Sequence, residues 1–144
     1  MRTLYRVAGT VLLFDQITKF LALSFLKPRI SIPLFQDVFH LSFVENTGIA
    51  FGLFQDHPAF WTWIITISIV CLLVGSWFFR DQPLPKQLAF GFILGGAIGN
   101  WVDRIRFNYV IDFLDFRVWP VFNIADSFIT IGVIFFIWFA LRGR

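Results

Sequence analysis

Four apolar stretches dominate the chain: Leu4 to Leu26, Phe60 to Phe79, Leu88 to Val102 and Ile124 to Leu141. A helix needs about 20 apolar residues to cross the hydrocarbon core of a bilayer. In lipid, every backbone N–H and C=O must be satisfied inside the segment, so such stretches take helical form. A soluble fold of 144 residues has no core large enough to hide them, since the sequence is 58% hydrophobic with 21 Phe and 6 Trp. The mean hydropathy is +0.75. The sequence therefore predicts an all-α membrane protein, one domain over 1–144, with four transmembrane helices at about 4–26, 60–79, 88–102 and 124–141. The first stretch is long, carries Asp15 and Lys19 and lacks a small-residue cleavage site, so it reads as a retained span rather than a cleaved leader.

An even number of spans places both termini on one side, together with the short link from Arg80 to Lys86. The segments 27–59 and 103–123 then face the opposite side. Six Lys and Arg lie on the terminal side (Arg2, Arg6, Arg80, Lys86, Arg142, Arg144) and five opposite (Lys27, Arg29, Arg104, Arg106, Arg117), an excess that favours cytoplasmic termini. The net charge of +3 fits anionic headgroups, and without a basic run it gives no footing for nucleic acid. Cys71 sits mid-span with no partner and reads as a small apolar residue. His40 and His57 are seventeen positions apart and outside any H-E-x-x-H frame, which leaves no zinc protease motif.

The segment after the first span is patterned. Ile30, Ile32 and Leu34, then Val38, Phe39, Leu41 and Phe43, predict short strands, and Pro28 and Pro33 break any helix. Such strands would form a small sheet at the membrane surface, apolar on one face. The stretch from Glu45 to Gly52 follows, where two glycines allow a sharp return toward the bilayer with Asn46 pointing inward. In the third span Gly91, Gly95 and Gly99 share one face, expected to hold that helix tightly against the fourth.

That packing would bring together Asp103, at the end of the third span, and Asp126, at the start of the fourth. Two close carboxylates cannot comfortably both ionise, so one keeps a proton and the other does not, which is what an aspartic hydrolase requires. The alternative stands beside it: Asp103 pairs with Arg104 or Arg106, and Asp126 caps the fourth helix. Asp15 and Lys19, one helical turn apart, can neutralise each other within the bilayer and are expected to be structural. A Ser-Lys peptidase fails because Ser24 lies off the helical face of Lys19. A small transporter using Asp15, Asp103 and Asp126 would explain the buried charge but not the structured outer segment.

The motifs Asp15-Gln16-Ile17-Thr18-Lys19, Glu45 to Gly52, Gly95 to Arg104, Val110-Ile111-Asp112-Phe113 and Phe122 to Ser127 occur in the order of, and closely resemble, those of bacterial lipoprotein signal peptidases. The resemblance implies four transmembrane helices with a small extracytoplasmic β-cradle and a second extracytoplasmic loop. It also implies a monomeric inner-membrane aspartic endopeptidase that works without cofactor or metal among membrane lipids. Its substrate would be a diacylglyceryl-prolipoprotein, cut before the lipidated cysteine, and globomycin would occupy the site. Matched motif by motif, Asp103 and Asp126 would be catalytic. Asn46, Asn100, Arg104 and Asn123 would line the site, and Asp112 would support it. Trp101 and Trp119 suit the interfacial belt.

Overall fold

The computed structural model describes residues 2–29, 31–48 and 58–142. The expected roles of Ile30, of Ile49 to Gly52 and of His57 lie outside the described residues. Helix α1 (Arg2–Leu21) runs straight into a π-helical turn (Ala22–Leu26), and strands β1 (Ser31–Phe35) and β2 (Phe39–Asn46) follow. Then come α2 (Pro58–Phe79), α3 (Leu84–Phe107), β3 (Val110–Asp115) and α4 (Ile124–Arg142).

Among the described residues three helical segments are long and apolar enough to cross a membrane: Thr3–Leu26, Thr62–Phe79 and Ile124–Arg142. They leave most of their large side chains uncovered, including Trp63, Phe78, Ile134 and Leu141. An apolar belt of this extent is stable only against another apolar phase. α3, with 24 residues, is long enough but carries Lys86, Gln87, Asn100, Asp103, Arg104 and Arg106. It packs against α1, α2 and α4, so protein rather than lipid surrounds it and it tolerates polar residues.

The glycine face does not meet the fourth helix as expected. A β-carbon at Gly91 or Gly95 would strike the carbonyl oxygens of Leu4 and Ala8, and one at Gly99 would strike the Asp15 carboxylate, so this face receives α1. The close approach to α4 is made instead by Gly96, against Ala125 and Ile129, and by Gly132, against Ala89 and Ile93. With backbones in contact on two sides, α1 and α4 both reach the polar end of α3.

The expected strands exist, and β1, β2 and β3 form one antiparallel sheet in that order. The β1–β2 turn places Asp37 in the left-handed region at φ 59°, which a short polar side chain tolerates. β3 was not anticipated, because Val110–Asp115 is buried on both faces and shows no alternation. Segment 103–123, expected as a loop, thus holds the end of α3 and strand β3. α3 continues to Phe107, Asn108 closes it in the left-handed conformation, and the chain turns back as β3 under β2. Ala22, Leu26, Ile111 and Phe113 form the core that holds the sheet to the end of α1.

Candidate active site

The polar ends of α1 and α3, strand β3 and the first turn of α4 meet in one cluster. Lys19 lies at its base, 1% exposed. Its ammonium donates to Asp15 Oδ2 at 3.0 Å, Asp103 Oδ2 at 2.8 Å and Asn100 Oδ1 at 2.8 Å, which uses all three protons. Asp15 turns its other oxygen to the amide of Ala125 at 3.0 Å, so a carboxylate on α1 meets the positive end of α4. Asp103 accepts Gln16 Nε2 at 3.1 Å and the Ile111 amide at 3.1 Å besides Lys19. It pairs with Lys19 rather than with Arg104 or Arg106, and it is 1% exposed.

Asn123 caps α4: its Oδ1 accepts the Asp126 amide at 2.9 Å, so the cap is a carboxamide and the Asp126 carboxylate is left for other work. Asn123 Nδ2 donates to Asp112 Oδ1 at 2.7 Å and to Asn100 Oδ1 at 3.0 Å. Asn100 in turn donates to Asp126 Oδ1 at 2.7 Å. Asp112, on β3, accepts Asn46 Nδ2 at 2.8 Å through its second oxygen. Burial first, and then the negative charge of Asp126, push the Asp112 carboxyl up to about 7. Arg104 donates to the carbonyls of Gly48 at 3.3 Å and Asn100 at 3.4 Å, and its charge acts on Asp103, Asp112 and Asp126 without direct pairing.

The cluster therefore gathers Asp103, Asp126, Asn46, Asn100, Arg104, Asp112, Asn123, Asp15 and Lys19, and sorts the acids. Asp15 and Asp103 are buried and share one lysine. The Asp112 carboxyl is held by Asn46 and Asn123 and that of Asp126 by Asn100, side-chain amides alone among the described residues. Asp126 is partly exposed and lines a cavity of about 410 Å³ walled by Trp119, Phe122, Thr130 and Ile131. Gln16 went unnoticed as a site residue although it stands in the first motif. It bridges Asp15, the Gly99 carbonyl and Asp103. Trp101 is half-buried and donates to Thr66 at 2.8 Å, which ties α3 to α2 rather than leaving it as a free interfacial ring.

The model of the family described as Signal peptidase (SPase) II matches residues 7–142. The chain belongs to the signal peptidase II family. A lipoprotein signal peptidase of Halothermothrix orenii is 44% identical over 137 residues, covering 93% of this chain and 94% of that one. That of Moorella thermoacetica is 41% identical, covering 92% and 88%. A solved bacterial membrane enzyme superposes with a TM-score of 0.86 at 32% identity, over 99% of this chain and 89% of that one. The cluster occupies the motifs that suggested the family, and the chain is a multi-pass membrane protein.

Proposed function

We propose that this chain is an aspartic endopeptidase of the bacterial inner membrane that removes the signal peptide from diacylglyceryl-modified prolipoproteins, cutting N-terminal to the lipidated cysteine. The observation that carries the reading is a pair of acids held by linked carboxamides, Asp112 on Asn123 with its acidity strongly weakened and Asp126 on Asn100 and open to an apolar cavity. Sequence matching gave the catalytic roles to Asp103 and Asp126. The geometry favours Asp112 as the partner of Asp126, because both Asp103 oxygens are committed to Lys19, Gln16 and the Ile111 amide. We assign Asp103 to holding the cluster together.

In this mechanism Asp112 carries the proton at and below a pH of about 7 while Asp126 acts in its ionised form, supported by the Asn100 amide, the α4 N-terminus and the charge of Arg104. Asp126 takes a proton from a water held between the two carboxyls, and the resulting hydroxide attacks the scissile carbonyl carbon. The Asp112 proton hydrogen-bonds the carbonyl oxygen as it gains charge. When the C–N bond breaks, the proton collected by Asp126 passes to the leaving cysteine amine. The cavity beside Asp126 would accept apolar parts of the substrate. Asn46 and Asn123 aim Asp112, and Asn100 aims Asp126.

The same reading takes α3 as a fourth span sheathed by its neighbours and the sheet as a cradle on the extracytoplasmic side, with cytoplasmic termini and a monomeric enzyme. The greater number of Lys and Arg at the terminal end supports that orientation. The test is cleavage of a diacylglyceryl-modified prolipoprotein by purified enzyme, with an unlipidated precursor as control. Wild type should cut only the lipidated form, Asp112→Asn and Asp126→Asn should fold without cutting, and Asp103→Asn should lose stability before turnover. Full cleavage by Asp112→Asn would return the second catalytic role to Asp103. A folded wild type with no cleavage would favour a transporter.

A further inference from the structure

A second feature lies at the other end of the bundle, about 20 Å along α4 from Asp126 at 1.5 Å per residue. α2 and α4 both pack on α3, and near this end they approach each other through Phe79 and Phe136, ring centroids 5.4 Å apart. Beside that contact is a cavity of about 310 Å³. Its walls are Phe78, Phe79, Phe136 and Ala140, and Gln82 and Lys86 stand at its mouth. Among the described residues Lys86 has no carboxylate partner, and its ammonium only reaches Gln82 Oε1 at 3.4 Å.

The surroundings define what fits. The Arg80 guanidinium lies 3.7 Å over the Trp77 ring and that of Arg142 lies 4.2 Å over Trp138. Cations resting on tryptophan mark the level where hydrocarbon gives way to headgroups. Arg6, Arg80, Lys86 and Arg142 are cations of this end, and Asp81 is its one carboxylate among the described residues. A cationic mouth at headgroup level above an aromatic slot matches a phosphate above an acyl chain. We propose that this slot between α2 and α4 binds an anionic phospholipid from the surrounding leaflet, with Lys86 on the phosphate and one acyl chain between Phe78 and Phe136. The lipid would close the seam where α2 and α4 lack mutual packing.

The proposal is tested on the full chain in mild detergent by native mass spectrometry, with added phosphatidylglycerol, phosphatidylcholine or water-soluble glycerol phosphate. Phosphatidylglycerol should be retained in preference to phosphatidylcholine, and glycerol phosphate should not be retained. Lys86→Gln should weaken phosphatidylglycerol retention about fivefold, the effect of one lysine at an anionic surface, whereas Lys86→Arg should keep it. Ala140→Trp, which fills the slot, should abolish retention, with thermal unfolding confirming that it is folded. Equal retention of both lipids, equal binding of glycerol phosphate, or unchanged retention in Lys86→Gln and Ala140→Trp would each overturn the assignment.

Discussion

Asp112 is the residue whose removal separates stability from chemistry. Its carboxyl titrates at about 7 in the folded protein against 3.8 in an unfolded chain. Between those values the folded form holds a proton that the unfolded form has lost, so stability falls as pH rises, by about 1.4 kcal/mol per pH unit, and levels off above pH 7. Two acids of the sheet work in the opposite sense. The Lys27 hydrogen bond holds Glu45 below its usual range. At Asp115 burial pushes the carboxyl up, but hydrogen bonds from Ser42 and Arg117 outweigh it and leave it lowered. Their contributions are complete once the pH exceeds roughly 5. From pH 5 to 7 the Asp112 carboxyl should therefore cost roughly 2 to 3 kcal/mol. In Asp112→Asn that slope disappears. The carboxamide offers one oxygen where Asp112 accepts two amides, a fixed cost of about 1 to 3 kcal/mol that does not vary with pH. The slope is thus the readout. Thermal unfolding in detergent at pH 5, 6 and 7 should show wild type losing roughly 5 to 10 °C relative to Asp112→Asn. Parallel profiles would refute both the raised pKa and the shared-proton mechanism built on it.

Three further outcomes follow from the same contacts. Cleavage rate should fall as pH rises through about 7, because Asp112 must carry its proton, and an initial-rate profile that climbs through this range would contradict its role as the acid. Lys19→Met leaves Asp15 and Asp103 buried without a counter-charge and should cost about 3 to 5 kcal/mol, seen as lost yield and an earlier melt. Adding Asp103→Asn to that variant should recover part of the loss. Gly95→Ala puts a β-carbon 2.5 Å from the Ala8 carbonyl oxygen and 2.8 Å from Val11 Cβ, so α1 and α3 must part, at about 1 to 3 kcal/mol. Gly9→Ala, with nothing within 4 Å, should instead gain up to about 1 kcal/mol, and equal melts for the two would refute the packing argument.

The sequence made the helices and the first two strands legible, because lipid and sheet surfaces impose simple periods. β3 was hidden because residues buried on both faces lose alternation. The glycine spacing announced a tight helix contact but not its partner. Three missing side chains on a face look the same whichever neighbour fills them, and only the carbonyls of Leu4 and Ala8 identify α1. Among the acids, Asp15 and Lys19 were readable from their one-turn spacing. The second claim on Lys19, from Asp103 on another helix, has no trace in local sequence. Asp103 and Asp112 stand nine positions apart, each one place from the end of its motif. What separates their roles is which has a lysine beneath it, and that is a fact of three dimensions.

The central position of α3 bears on how such a chain tolerates change. Residues on the outward faces of α2 and α4 answer to a fluid, which accepts Leu, Ile, Val or Phe with little distinction. A residue of α3 answers to fixed atoms on three neighbouring helices, so a single exchange there has to be matched elsewhere before it becomes neutral. Descendants of this chain should therefore diverge quickly around the rim and slowly along the axis, with changes in α3 arriving in pairs with changes in the helices that touch it.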